Sequence, residues 1–337
     1  MVRSHDVQMV AETDAGCCGT VRVRVYYPDT VHIVEEGSRV FKKYVLETRP
    51  QFLTLALVLV VHGSALAAWH GSIHIGRSIL AAIGLILLQA SVNVLNDWHD
   101  WTRSGIDHDT VQTPFSGGSG MLPARDLEPR EALILGIGTL LAGSAIGLYL
   151  AWVAGWELLI IGLVGAVLVV LYTPVFTRTG LGEIMAGAGL GILPVVGTYF
   201  LITGGFDTAA WVSGIPATLL TYNLLLLNEF PDTTADTAGG RHHMVVLLGK
   251  RRARWLYAAA EAAAFVAIVI GVVTGVLTPW VLLALVAAVP AAKAVTIAIR
   301  EYDGFEELIP ALGANVQALL GVNVLMAAGY AIAALLG

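Results

Sequence analysis

From Gln51 onward, apolar runs long enough to cross a bilayer recur along the chain, at roughly 51–69, 77–96, 131–152, 155–173, 183–203, 210–229, 254–276, 278–298 and 312–336. A hydrocarbon core about 30 Å thick needs about 20 apolar residues in helical form. Inside lipid each backbone N–H and C=O must be satisfied internally, so runs of this length are helices. The ten-residue alternation of a membrane barrel is missing. Composition agrees: 56% of the 337 residues are hydrophobic, 13% are charged, and the mean hydropathy is +0.75. These values exclude a water-soluble enzyme, a disordered chain and a typical nucleic-acid binder. The formal charge of −6 says little about partners, because the charges are segregated along the chain.

That segregation sets an orientation. With the N-terminus in the cytosol, every Lys and Arg except Arg77 falls on the cytosolic side. The asymmetry follows the positive-inside rule and predicts a multi-pass cell-membrane protein with cytosolic N-terminus and long loops. The first ~48 residues lack a basic stretch leading into an apolar core, so no secretory leader is expected. Val21–Tyr27 alternates apolar and charged residues and predicts a short strand. Residues 1–45 read as a cytosolic appendage and 46–337 as the membrane domain. Adjacent Cys17 and Cys18 cannot build a disulfide framework.

The polar chemistry gathers in two cytosolic loops, at about 97–130 and 230–253. The first opens N-V-L-N-D-W-H-D, which places Asn93, Asn96, Asp97 and Asp100 on one helical face. The second opens N-E-F-P-D-T-T-A-D, where Asn228, Glu229, Asp232 and Asp236 repeat the spacing. Carboxylates crowded in this way repel one another unless a cation lies between them. Hard oxygen donors at this density suit Mg²⁺, which completes its shell with water and substrate phosphates. The plain alternative is a solvated acidic helix end, but Asn and Asp at the end of an apolar helix are costly and mark function. Each cluster follows the second helix of a four-helix block, which predicts two pseudo-repeats plus a ninth helix, with the clusters facing one cavity. Two Mg²⁺-binding clusters above an apolar cavity describe an enzyme that ionises a polyprenyl diphosphate and shields the allylic cation from water.

These two acidic motifs resemble those of the UbiA superfamily of intramembrane prenyltransferases, and the resemblance extends over roughly residues 44–336. It implies an all-α membrane fold, a Mg²⁺-dependent site open to the cytosol, and prenyl transfer to an aromatic or lipid acceptor. Gly105-Ile106-Asp107, the segment T-P-F-S-G-G-S-G at 113–120, Y-T-P at 172–174 and G-L-G-E at 180–183 resemble the 1,4-dihydroxy-2-naphthoate branch of menaquinone synthesis. Other acceptors in the superfamily are 4-hydroxybenzoate, geranylgeranylglyceryl phosphate, haem and chlorophyllide precursors. On this reading Asp97 and Asp100 hold one Mg²⁺, and Asp232 and Asp236 a second. Asn96 and Asn228 orient ligands, while Arg49, Arg178, Arg241 and Tyr172 meet the diphosphate or its surroundings. Ser116, Gly117 and Gly118 turn backbone N–H groups toward an anion.

The chain departs from the family pattern in three places. Asp107 lies seven residues after Asp100, one more than in the naphthoate branch. Val175 and Phe176 stand where relatives carry a lysine, which leaves Arg178 as the nearest cation. Gly240-Arg241-His242-His243 replaces a Gly-Lys-Arg-Thr stretch.

Other polar residues read more plainly. His99, His108, His242 and His243 lack the convergent spacing of a zinc site. Lys250, Arg251, Arg252 and Arg254 anchor a helix at an anionic leaflet. Glu183 either caps its helix or orients the acceptor or Tyr172. Gln317 and Asn323 pack toward the bundle, and Trp69, Trp211 and Tyr257 are interfacial anchors. A second class of function is a transporter or channel with an acidic cation site, and a third is a catalytically silent scaffold. Acidic clusters on one face and nearly uncharged outer loops argue against the transporter.

Overall fold

The structure, a computed structural model, describes residues 8–12, 22–26, 41–106, 115 and 117–337. Gln8–Glu12 (β1) and Arg22–Tyr26 (β2) pair antiparallel, so the alternating segment near 21–27 is a strand. Among the described residues the other elements are helices. The principal helices are α1 Pro50–Trp69, α2 Ile75–Ser104, α3 Pro129–Ala154, α4 Leu158–Leu171, α5 Gly182–Thr203, α6 Thr208–Ala238, α7 Lys250–Val273, α8 Pro279–Arg300 and α9 Ile309–Leu336. Among the described residues, eight of these are long and apolar enough to cross a membrane, and α4 is not. The apolar run at 155–173 yields only 14 helical residues. Gly155, at φ 145°, stops α3, and Tyr172-Thr173-Pro174 ends α4. At 1.5 Å per residue α4 reaches about 21 Å, short of the hydrocarbon thickness.

Helix starts follow local chemistry. Pro50, Pro129 and Pro279 open α1, α3 and α8, where a missing N–H costs nothing. Glu128 and Glu131 form a reciprocal capping box on α3. Asp207 Oδ1 accepts from Ala209 N–H at 2.7 Å to cap α6. Two helices outrun their apolar stretches. α2 continues to Ser104 through a π-helical turn at Asp100–Ser104, and α6 runs past Pro231 to Ala238. Both acidic motifs therefore sit on rigid helix rather than in loops.

Lipid is as apolar as leucine, so close packing and internal hydrogen bonds must join the helices. Gly143 lets α3 approach α2: a Cβ there would lie 2.9 Å from Leu88 Cγ. Gly187 and Gly191 bring α5 against Thr218 of α6. α5 breaks its helical geometry at Leu190 (φ −118°, ψ 38°). The freed groups are taken up by α6: Thr221 Oγ1 donates to the Leu190 carbonyl at 2.7 Å, and Ile192 N–H donates to Thr218 Oγ1 at 3.0 Å. Leu59, Leu66, Leu220, Val322 and Tyr330 form one buried core among α1, α6 and α9. Leu226, Phe230, Tyr257 and Leu312 form a second.

Three expectations change here. Tyr257 is fully buried, and its hydroxyl donates to Asn315 Oδ1 at 3.1 Å, so it is a core residue rather than an interfacial anchor. Trp69 stacks on Tyr330 at 5.6 Å and belongs to the bundle, whereas Trp211 is exposed. Gln317 faces outward, while Asn323 is buried with Oδ1 2.9 Å from His62 Nδ1. The residues differ by helical angle: 317 and 323 lie six positions apart, about 120° around α9.

Candidate active site

A cavity of about 270 Å³ opens among α1, α2, α4, α5 and α6. Phe52, Leu85, Leu88, Leu168, Leu190 and Leu224 make its apolar wall. Its polar end gathers Asn93, Asn96 and Asp100 from α2 with Asn228, Glu229, Asp232 and Asp236 from α6. The two acidic motifs, about 135 residues apart in sequence, thus share one space.

Three of the carboxylates, Asp97, Asp100 and Asp236, are paired with arginines of the chain itself. Arg241 bridges the motifs: Nη2 binds Asp100 Oδ2, and Nη1 lies 2.9 Å from Asp236 Oδ1. Burial favours the neutral form of Arg241, but the charges of Asp100 and Asp236 outweigh it and hold the guanidinium protonated. Asp97 pairs with Arg49 and also accepts Ser119 N–H at 2.8 Å. Arg49 stands in the left-handed region (φ 54°) directly before Pro50, a conformation that costs a non-glycine residue about 1–2 kcal/mol. Strain of this kind is kept where it serves a site, and here it delivers a guanidinium to the first motif.

Gly117 (φ 85°) and Gly118 (φ 79°) line the cavity, and a Cβ at Gly118 would sit 3.4 Å from both Asp97 Oδ1 and Arg49 Nη2. The loop also buttresses the motif, since Ser119 commits its N–H to Asp97 and its hydroxyl to Glu47 Oε2 at 2.5 Å. Asn96 Nδ2 donates to Thr173 Oγ1 at 3.1 Å. Asn228 Oδ1 is buried with no hydrogen-bond partner, a lone acceptor beside the carboxylates. Tyr172 lines the cavity, and burial, together with Glu229 nearby, pushes its phenol up so that it stays protonated.

The structure departs from the sequence expectation at Arg178. The 3-10 turn Phe176–Arg178 points Thr177 inward, where its hydroxyl donates to the Thr173 carbonyl at 2.7 Å, and leaves Arg178 exposed and outside the cavity lining. Asp107 and Ser116 lie outside the described residues. His243 enters instead. Its Nε2 is 2.9 Å from Asp236 Oδ2, and its Nδ1 is 3.2 Å from Glu229 Oε2. With Glu183 and Glu229 it forms a group whose ligand atoms lie within 4.8 Å of one another. In sequence the pair His242-His243 offers no means of choosing one; in the structure His242 is exposed and His243 buried. Glu47 also escaped the sequence reading, because its pairing with Ser119 spans 72 residues.

The donor set fits a hard divalent cation: four carboxylates and an unpartnered amide oxygen, from two helices, at one end of one cavity.

Known proteins share this chain's sequence pattern and its fold. The sequence profile described as the UbiA prenyltransferase family matches residues 56–305. The 1,4-dihydroxy-2-naphthoate octaprenyltransferase of Mycobacterium tuberculosis is 30% identical over 278 residues, covering 81% of this chain and 91% of that protein. The Bacillus subtilis protein of the same name is 29% identical over 237 residues, covering 69% and 74%. Among solved structures, an apo UbiA homolog from Aeropyrum pernix superposes with a TM-score of 0.61 at 20% identity, covering 84% of this chain and 98% of that one. A UbiA homolog from Archaeoglobus fulgidus bound to GPP and Mg²⁺ gives 0.52 at 14% identity, covering 84% and 99%. A bundle of membrane helices with two acidic motifs on one cavity, matched by this profile over most of its length, belongs to the UbiA prenyltransferase family of multi-pass membrane transferases.

Proposed function

We propose that the protein transfers a polyprenyl group from a prenyl diphosphate to 1,4-dihydroxy-2-naphthoate or a related quinone precursor, with Mg²⁺, at the cytosolic face of the cell membrane. One observation carries this reading: a single cavity has two carboxylate clusters at one end and an apolar wall at the other. A prenyl diphosphate has the same division, a polyanion joined to a hydrocarbon chain. The names of the relatives favour the naphthoate acceptor.

Asp97 and Asp100 would hold one Mg²⁺, and Asp232 and Asp236 a second. Bound Mg²⁺ supplies Lewis-acid stabilisation of the departing diphosphate. Arg49 and Arg241 line the same space and add fixed positive charge for the diphosphate oxygens. Asn96 and Asn228 orient polar oxygens, and protonated Tyr172 offers a hydroxyl at the boundary between the polar and apolar parts. The leucine-rich wall excludes water from the allylic cation while the acceptor ring attacks it. Loss of a proton, or of CO₂ from the naphthoate, restores aromaticity. The protein supplies no nucleophile.

The test is diphosphate release by the purified protein in detergent, with geranylgeranyl diphosphate, 1,4-dihydroxy-2-naphthoate and Mg²⁺, against an EDTA control. A prenylated, decarboxylated product formed only with Mg²⁺ is expected. Turnover with 4-hydroxybenzoate or geranylgeranylglyceryl phosphate, but not the naphthoate, would refute the acceptor assignment.

A further inference from the structure

One face of α2 lines the cavity along its whole depth, and its side chains change in character on the way. Leu85 and Leu88 belong to the apolar part, Gln89 and Asn93 follow, and Asn96 and Asp100 complete the polar end. At a rise of about 1.5 Å per residue, Asn93 lies about 6 Å to the apolar side of Asp97, and Gln89 about 6 Å further. The chain itself orients both amides. Gln89 Nε2 donates to the Phe52 carbonyl at 2.8 Å, and Asn93 Nδ2 donates to the Thr48 carbonyl at 2.9 Å. A carbonyl only accepts, so each amide must turn its NH₂ group toward it, and the oxygen is the end left over. Gln89 is buried, at 4% exposure, and its Oε1 has no hydrogen-bond partner. Asn93 is half-buried, and among the described residues no group donates to its Oδ1. Two acceptor oxygens one helical turn apart thus stand at the border of the apolar wall without a donor, and buried acceptors left in this way are rare.

We propose that Gln89 and Asn93 receive a ring hydroxyl of the aromatic acceptor, the one with no carboxylate beside it. The inference rests on the prenyl-transfer reading above and names the residues that recognise its second substrate. The chemistry of the two substrates decides between them. An ionised diphosphate carries acceptors only, and a prenyl chain carries no polar group, so the donor substrate has no hydrogen to give an amide oxygen. A hydroxyarene has one. In 1,4-dihydroxy-2-naphthoate the hydroxyl next to the carboxylate donates to it internally, and the hydroxyl para to that one keeps its O–H free. Position agrees with chemistry. The attacking ring carbon must come within about 3–3.5 Å of the allylic carbon, which lies just below the diphosphate and hence just below the carboxylate end. A bicyclic ring there reaches the depth of Asn93 and Gln89, with Phe52 and Leu88 as apolar neighbours. Neutral amides repel neither the carboxylate of the acceptor nor the departing diphosphate. A site built to accept an O–H discriminates strongly against an analogue that lacks it.

Binding without turnover tests the amides apart from the reaction. The full-length protein in detergent is titrated calorimetrically with 4-hydroxy-2-naphthoate and with 4-methoxy-2-naphthoate, which carry the same charge. The hydroxyl compound is expected to bind wild type about tenfold more tightly than the ether. Gln89→Leu and Asn93→Leu are each expected to cut that preference to about threefold or less, with affinity for the ether held within about twofold. Equal affinity of the two compounds for wild type overturns the inference and needs no variant. So does an unchanged preference in both variants, or an equal loss of both compounds, which would make the amides structural only. A preference left intact while the variants lose Mg²⁺ binding, measured by the same titration, also overturns it and would place the amides in a metal site. Mg²⁺-dependent diphosphate release, measured separately, judges the prenyl-transfer reading itself.

Discussion

Replacing Arg241 by leucine removes a cation shared by two buried carboxylates. The side chains of Asp100 and Asp236 are 6% and 2% exposed, and the guanidinium between them is 18% exposed. Deleting one partner of a buried pair costs about 3–5 kcal/mol, because the other charge stays behind. Both carboxylates keep a second donor, Ser104 Oγ at 3.3 Å for Asp100 and His243 Nε2 at 2.9 Å for Asp236, so the lower value, about 3 kcal/mol, applies. If the clusters are divalent-cation sites, Mg²⁺ replaces the lost charge. At a hundred times its Kd a ligand adds about 2.7 kcal/mol, nearly the whole deficit. The assay is thermal unfolding of the purified protein in detergent, with EDTA and with saturating Mg²⁺. In EDTA Arg241→Leu should unfold several degrees below wild type, and Mg²⁺ should close most of that gap. Wild type should gain less, because Arg241 must first leave the carboxylates. A gap that Mg²⁺ leaves untouched would refute the reasoning.

Asp97→Ala and Asp232→Ala should each abolish prenyl transfer with helical content by circular dichroism unchanged, and full turnover in either purified variant would remove that aspartate from the metal site. Gly191→Val should destabilise the bundle by about 1–3 kcal/mol, since a Cβ there would meet Thr218 Cα at 2.5 Å and its N at 2.6 Å; wild-type thermal stability would show that α5 and α6 do not approach so closely. Burial pushes the Glu47 carboxyl above its usual 4.5, against the opposing pull of Ser119 and Arg49. The folded form therefore binds this proton more tightly than the unfolded chain does. Its stabilising contribution is complete below 4.5 and is lost as pH rises through the folded value. Glu47→Gln should remove that pH slope from the unfolding curve, and an identical slope in the variant would contradict the assignment.

Much of the bundle was legible in sequence, since a bilayer permits few ways to satisfy a backbone. Run length located α1, α3, α5, α7, α8 and α9 to within four residues at each end. It misjudged α4 because hydropathy counts apolar residues and does not see where Tyr172-Thr173-Pro174 turns the chain out of the helix. It also stopped α2 and α6 too early. Polar residues end an apolar run without ending a helix, so Asp100 and Asp236 were read as lying in loops.

The acidic motifs were visible for a related reason. Spacings of three and four put carboxylates on one face of any helix, whatever surrounds it. That α2 and α6 present those faces to a common cavity followed from topology, and the shared grip of Arg241 on Asp100 and Asp236 is its geometric counterpart.

What sequence determined by itself was the solvent and the chemistry: apolar runs that water would not tolerate, and oxygen donors that a lone helix end would not collect. Tertiary structure decided which members of similar pairs reach the cavity, His243 rather than His242 and Arg241 rather than Arg178. It also joined Glu47 to Ser119 and Glu183 to Glu229. Those choices depend on side-chain direction and burial across helices far apart in the chain, and local periodicity carries no information about either.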